Sequence, residues 1–422
     1  MVDERSYPNP FEDYVEERFS EFFELTKAGG FPKLKSDFKE RLRTSVDQLL
    51  ARLEAGMATT SRSDVSMYTG TPGYALLFWM LSRKRPGEDF QQHSMNILEA
   101  ALPRLRNRDV TFICGDPGPL ALAAVVYHTL GKPDRSVELV KRIKSFAPII
   151  TDLESDLPDE ALYGRVGYLY SLLFLNHYLR PNAIEDNIIR QVLSAILASG
   201  KSLAKSEHRK VPLMYRWHGS YYFGAAHGIA GILYTLLLAR DQLTDSELME
   251  LIRPTIDFLL DTSFPSGNLP SSLGREKDKL VHWCHGAPGA VYLYCLAYKV
   301  FHDERYLDAA KKCGEVVWQR GLLRKGYGIC HGVAGNAYTF LCLLQTINDC
   351  KGASDSESQQ QSWEAKYLYR ACKFAEWCMT YDERQDRVPD RPFSLFEGLA
   401  GTIYFMNDMQ DPMEARFPAF AL

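Results

Sequence analysis

The chain has 422 residues, 46% of them apolar, enough to bury a substantial core; a small disulfide scaffold and a disordered tail are both excluded. Its 49 basic and 53 acidic side chains leave a formal charge of −4, so there is no electrostatic footprint of a nucleic-acid-binding protein, and an anionic partner needs a local site. The longest apolar runs, such as Ile229 to Ala239, fall short of the roughly 20 residues that cross a bilayer. Met1-Val2-Asp3-Glu4-Arg5 offers neither an apolar leader core nor a glycine for N-myristoylation, so a cytoplasmic protein is expected.

In chain order, Pro8-Asn9-Pro10-Phe11 carries an aromatic ring that a free tail does not need, which predicts a docked N-terminus. After Ser36-Asp37, the residues Phe38, Leu42, Val46, Leu49, Leu50 and Leu53 follow helical spacing with one apolar face. Then a Gly-x-x-Gly pair recurs seven times: Gly70/Gly73, Gly115/Gly118, Gly164/Gly167, Gly228/Gly231, Gly286/Gly289, Gly332/Gly335 and Gly398/Gly401, at intervals of 45 to 66 residues. Most pairs open a run such as Tyr168-Leu169-Tyr170-Ser171-Leu172-Leu173 or Ala337-Tyr338-Thr339-Phe340-Leu341. Such runs are apolar on most sides, as a helix buried all round must be. The polar stretch at about 351–362 reads as a mobile surface loop. Tyr367, Leu368, Ala371, Phe374, Ala375 and Cys378 return to amphipathic spacing, and Phe417 and Phe420 predict a docked C-terminus.

An outer and an inner helix in each of seven units, with few strand patterns, gives an all-α fold. It is either an open solenoid or a closed (α/α)7 toroid. The last unit, Phe396 to Phe405, is as apolar as the others where a solenoid needs a polar cap, which favours a toroid forming one domain over residues 1–422.

Nine cysteines, eight of them from Cys284 onward, point to reduced thiols in a chain without a secretory signal. The residues just before the first glycine of each pair are Thr69, Cys114, Tyr163, His227, His285, His331 and Glu397. Equivalent turns facing one end converge these side chains. Cys284-His285-Gly286 and Cys330-His331-Gly332 are identical tripeptides, and thiolate with imidazole is the usual zinc donor set. The alternative is two buried cysteines beside two hydrogen-bonded histidines. Four ligands close a structural site and three leave room for a substrate; spacing does not choose. An open zinc suits thiol activation near neutral pH.

Trp283-Cys284-His285-Gly286-Ala287-Pro288-Gly289, Gly328-Ile329-Cys330-His331-Gly332, Ala225-Ala226-His227-Gly228 and Lys366 through Trp377 resemble the eukaryotic LanC-like proteins, relatives of bacterial lantibiotic cyclases. The resemblance runs from Tyr7-Pro8-Asn9-Pro10-Phe11 to Ala415-Arg416-Phe417-Pro418. It implies an (α/α)7 toroid with one zinc held by Cys284, Cys330 and His331, leaving His285 outside the ligand set. It implies glutathione as co-substrate, contacted by Lys325, Arg370, Ala371, Cys372 and Lys373, and a zinc-dependent glutathione transferase acting on dehydroalanine- or dehydrobutyrine-type electrophiles in peptides or proteins. His227 matches the cyclase histidine assigned to acid–base work, a role imidazole fills near neutral pH. Arg370 and Lys373, three apart, share one helix face suited to carboxylates. Asp116, Tyr163, Arg165 and Glu397 are cavity candidates without an assigned role. A competing reading from the same family is a signalling or adaptor protein with structural zinc, binding abscisic acid or a protein such as a kinase, with at most peripheral membrane association. Lanthionine synthesis on an endogenous peptide is a third. Cys295, Cys313, Cys342 and Cys378 fall in helical patterns as packing residues, and Cys350 borders the polar loop.

Overall fold

A computed structural model describes residues 4–16, 21–24, 31–179, 183–350, 357–381, 383 and 386–422. Among these residues the chain forms fifteen α-helices and a single strand pair, β1 (Phe23–Glu24) antiparallel to β2 (Lys33–Leu34) with Phe23 opposite Leu34. It divides into two compact units: Met1–Thr60, Pro265–Asn268 and Lys279–Pro418 form the first, and Ser61–Phe264, Leu269–Asp278 and Ala419–Leu422 the second. The first unit opens with α1 (Ser36–Met57). The second holds α2 (Thr71–Lys84), α3 (Phe90–Ala101), α4 (Pro117–Thr129), α5 (Pro133–Lys144), α6 (Ala147–Thr151), α7 (Arg165–Tyr178), α8 (Asp186–Ser206), α9 (Ile229–Leu238) and α10 (Arg253–Thr262). The first unit resumes with α11 (Ala287–Phe301), α12 (Glu304–Arg320), α13 (Val333–Asp349), α14 (Glu357–Met379) and α15 (Leu399–Asp408). No helix among the described residues is long and apolar enough to cross a membrane.

Each glycine pair starts a helix, as the repeat predicts: α2, α4, α7, α9, α11, α13 and α15 begin one or two residues after its first glycine. These are the inner helices; α9 is buried at every position from Ile229 to Leu237. Apart from α11, they lack side-chain caps, which leaves their first backbone N–H groups to be satisfied otherwise. The carbonyl seven residues upstream does this. Arg165 N–H donates to Pro158, Ile229 to Tyr222, Val333 to Gly326 and Leu399 to Pro392, at 2.8–3.1 Å. The chain therefore loops back across its own helix start, and the second glycine lets it pass. A Cβ on Gly335 lies well under 3.0 Å from the carbonyl of Ile329, and one on Gly231 meets Ala225 in the same way.

Successive turns are also wired to one another within each unit. In the second unit Met67 N–H donates to Ile113, Phe112 to Gly167 and Ala161 to Ala226; in the first, Cys284 donates to Cys330 (3.3 Å) and Cys330 to Phe396 (2.8 Å). The outer helices are amphipathic. α8 buries Ile189, Val192, Leu193, Ile196 and Leu197 on one face, and α3, α5, α12 and α14 pack against α2, α4, α11 and α13 in turn.

The expected loop at about 351–362 is corrected in its second half. Residues 351–356 lie outside the described residues, but α14 starts at Glu357, so 357–362 is helix. Glutamate and glutamine are good helix formers, and the polar composition conceals a turn that leads into buried Glu364 and Ala365. Both termini dock. The Asn9 amide donates to the Trp318 carbonyl at 2.7 Å, Phe11 stacks on Trp318, and Phe417 packs against Trp283 and Tyr338 within the first unit. Phe420 lies on Tyr234 within the second.

Candidate metal centre and acid–base pair

In the first unit the turns before α11 and α13 lie side by side, tied by the Cys284–Cys330 backbone bond, and their donors converge. Cys284 Sγ, Cys330 Sγ and an imidazole nitrogen of His331 lie within 4.8 Å of one another, making a group able to hold a metal ion. Cys330 is buried, while Cys284 and His331 are partly exposed. A hydrogen bond from Cys330 holds the Cys284 thiol below the ordinary thiol range against the opposing cost of burial, helped by the Lys325 ammonium. Burial and the neighbouring Cys284 sulfur push the Cys330 thiol well up. Two sulfurs and an imidazole nitrogen are a donor set suited to a soft or borderline cation.

The turn carrying Cys284 is built unlike the others. Gly286 has φ +118°, and the first N–H of α11 is bonded at 2.7 Å by the side chain of Asn268, which also donates to the Leu280 carbonyl at 3.0 Å. Asn268 is fully buried, and sequence reasoning did not single it out; nothing local marks an asparagine 19 residues before the N–H it caps. His285 is not among the three donors; its carbonyl accepts the N–H of His282.

In the second unit His227 Nδ1 bonds Glu160 Oε2 at 2.8 Å. Glu160 is 2% exposed and also accepts the N–H groups of Leu162 and Tyr163. A carboxylate so placed is an acceptor, so Nδ1 carries the hydrogen. Tyr163 and Trp217 lie nearly parallel to the imidazole, at 6.2 and 6.3 Å between ring centroids. Cys114 hydrogen-bonds Tyr163, whose phenol is pushed up to about 12 by that thiol and by burial; burial keeps the Cys114 thiol protonated. Glu160, Trp217 and Asn268 are the residues missed from sequence. Glu160 had a signal, an acidic residue in the apolar turn Glu160-Ala161-Leu162.

The remaining candidates are placed as follows. Arg165 is buried and donates to the carbonyls of Ile150, Asp152 and Leu157 and to Asp159, so it ties down its own loop. Asp116 accepts the backbone N–H of Asn107, and Glu397 lies with its main chain against Gly328. Lys325 is partly exposed beside Cys284. Arg370, Ala371 and Cys372 are wholly buried on α14. All three guanidinium nitrogens of Arg370 donate to Asp13 or Glu315, at 2.5–2.9 Å, and Lys373 pairs with Glu21 at 2.7 Å. The carboxylates that these cations meet belong to the N-terminal segment, to α12 and, through Glu376 at 3.3 Å from Lys373, to α14 itself.

A family model described as lanthionine synthetase C-like protein matches residues 61–422. The chain belongs to that family. A relative from Danio rerio, glutathione S-transferase LANCL1, is 42% identical over 424 residues and covers 100% of both chains. Nisin cyclase, at 18% identity, matches with a TM-score of 0.61 over 89% of this chain and 95% of its own, and this likeness shows the fold, the all-α class of the LanC-like proteins that the resemblance implied.

Proposed function

We propose that this LanC-like chain is a glutathione transferase that adds the glutathione thiol to dehydroalanine- or dehydrobutyrine-type alkenes in peptides or proteins, with zinc as its cofactor. The observation that carries the reading is the Cys284, Cys330 and His331 cluster, with three donors within 4.8 Å. Two sulfurs and one imidazole nitrogen fit zinc, and three protein ligands are the number that leaves a position for substrate. The printed name of the Danio rerio relative supports glutathione as the thiol.

When bound, zinc lowers the pKa of a thiol that reaches it, so a thiolate exists at neutral pH. The chain's own residues supply the rest. Lys325, already close enough to Cys284 to favour its thiolate, adds positive charge for an incoming thiolate or carboxylate. Thiolate addition forms a C–S bond at the alkene β-carbon and moves the π pair toward the α-carbon and its carbonyl. The α-carbon then needs one proton, and we assign its delivery to His227: Nε2 takes up, through solvent, the proton that the glutathione thiol gives up and passes it on as the imidazolium, with Glu160 holding Nδ1–H. Arg370 and Lys373 would contact glutathione only after exchanging Asp13, Glu315 and Glu21 for its carboxylates.

The test is metal analysis together with mass spectrometry of a dehydroalanine peptide incubated with glutathione, for wild type and Cys330→Ala. One zinc per chain and a glutathione adduct in the wild type, both lost in the variant, support the reading. A metal-free variant that still forms adduct at the wild-type rate refutes it.

A further inference from the structure

Among the described residues, six of the seven glycine turns close on themselves. The residue after the first glycine donates its N–H to the carbonyl seven positions upstream: Thr71 to Asp64, Asp116 to Asp109, Arg165 to Pro158, Ile229 to Tyr222, Val333 to Gly326 and Leu399 to Pro392, at 2.8–3.2 Å. In the remaining turn the corresponding pair is Ala287 and Leu280, and one side chain takes both groups. Asn268 Oδ1 accepts the Ala287 N–H at 2.7 Å, and Asn268 Nδ2 donates to the Leu280 carbonyl at 3.0 Å. The amide stands inside the bond that closes the other six. Asn268 is wholly buried, so neither backbone group could turn to water instead.

The inserted amide changes the backbone beside it. It separates a donor and an acceptor that would otherwise lie about 3 Å apart, and the glycine takes up the difference. Gly286 has φ +118°, whereas Gly164, Gly228, Gly332 and Gly398, at the same position in their turns, have φ between −114° and −138°. Only glycine adopts the Gly286 conformation without strain.

The two Cys-His-Gly tripeptides feel this difference. Their sequences are identical and their cysteines are tied by the Cys284 N–H to the Cys330 carbonyl, yet the donor cluster contains both cysteines and one histidine, His331. His285 adjoins the glycine whose φ is reversed, and its carbonyl accepts the His282 N–H at 3.0 Å. Identical residues at equivalent turns place their imidazoles alike when the turns close alike. Here the closure differs, and the histidine next to it is the one left out.

We propose that Asn268 is a positioning residue that holds His285 out of the ligand set, so that the cluster offers a metal ion three protein donors and not four. The inference deepens the metal reading given above and rests on it. Three donors leave a position for a substrate thiol, and a fourth would close it. Asn268 acts through the backbone of the turn, from sixteen residues before Cys284.

The experiment uses the full-length protein loaded with zinc, read by X-ray absorption at the zinc edge, and the same protein loaded with cobalt, read by its visible spectrum. Wild type should show two sulfurs and one imidazole, and its cobalt spectrum should shift when glutathione is added. In Asn268→Ala the Ala287 N–H is free to close on the Leu280 carbonyl as in the other turns. A second imidazole should then enter and the glutathione shift be lost, while His285→Ala in the same chain should return the count to one. Asn268→Asp, which sets a carboxylate oxygen against the Leu280 carbonyl, should also admit the second imidazole. A wild type that binds no metal refutes the metal reading and this inference with it. A metal-bound wild type with two imidazoles, or variants that keep one imidazole and the glutathione shift, overturn only the role given to Asn268. If Asn268→Ala does not fold, Asn268→Asp decides; failure of both to fold would make Asn268 an anchor of the fold alone and overturn the proposal.

Discussion

Replacing Arg370 with methionine tests whether this residue is first an anchor for the N-terminal segment. Its side chain is wholly buried, its three nitrogens are committed to Asp13 and Glu315, and its guanidinium carbon lies 5.0 Å from the Trp318 ring centroid. Methionine keeps the aliphatic stem over Trp318 and removes the charge. Breaking a buried ion pair costs about 3–5 kcal/mol when the stranded partner stays buried. Asp13 and Glu315 are each 39% exposed and can rehydrate, which lowers the expected loss to about 2–3 kcal/mol. The assay is urea unfolding of wild type, Arg370→Met, Asp13→Asn and the double variant, with limited proteolysis of the first 16 residues as a second readout. A coupling of at least about 1 kcal/mol between Asp13 and Arg370 is expected, together with faster cleavage of the segment in Arg370→Met. Burial raises the Asp13 and Glu315 carboxyls, but Arg370 more than offsets it and leaves both below their usual values. Their contribution is therefore present above the unfolded carboxylate range of about 4 and is lost as pH falls through the lower folded values, so the coupling should fade in acid. Strict additivity of the two substitutions, or an Arg370→Met midpoint equal to wild type, would refute the reasoning.

Three further outcomes are expected. Gly335→Ala drives a Cβ into the Ile329 carbonyl, one residue before Cys330, and should cost about 2–3 kcal/mol in chemical denaturation while weakening zinc retention; an unchanged denaturation midpoint counts against the turn wiring. Glu247 is held at about 2 by its bonds to Arg190, so Glu247→Gln should cost about 1 kcal/mol near neutral pH once screening is allowed for, the difference vanishing as pH falls from the unfolded value of 4.5 toward 2 in thermal melts. Glu160→Gln should leave the fold and glutathione KM in place, reduce kcat for adduct formation about 10- to 100-fold and move the pH profile, whereas a stability change with an unmoved profile would make Glu160 merely structural.

The helix starts and the metal donors were legible because both ride on a repeat. Seven glycine pairs mark where α2, α4, α7, α9, α11, α13 and α15 begin, and the duplicated Cys-His-Gly places Cys284 and Cys330 at equivalent positions. What escaped notice depends on pairs far apart in sequence and without a motif. Asp13 and Arg370 are 357 positions apart, Glu160 and His227 are 67, and no periodicity ties either pair together. Arg370 and Lys373 were expected as glutathione contacts from the family resemblance, their shared helix face adding only that two cations suit carboxylates. Asp13 and Glu21 of the N-terminal segment meet these cations from 357 and 352 positions away, a separation no local pattern reports.

The bonds between successive turns separate distance along the chain from distance in space. Cys284 reaches Cys330 across 46 residues and Cys330 reaches Phe396 across 66, yet each step is the same single N–H to carbonyl contact between neighbouring turns. Lengthening an outer connection therefore leaves the donor geometry untouched. A connection between turns can thus be lengthened, shortened or decorated without retuning the ligand cluster.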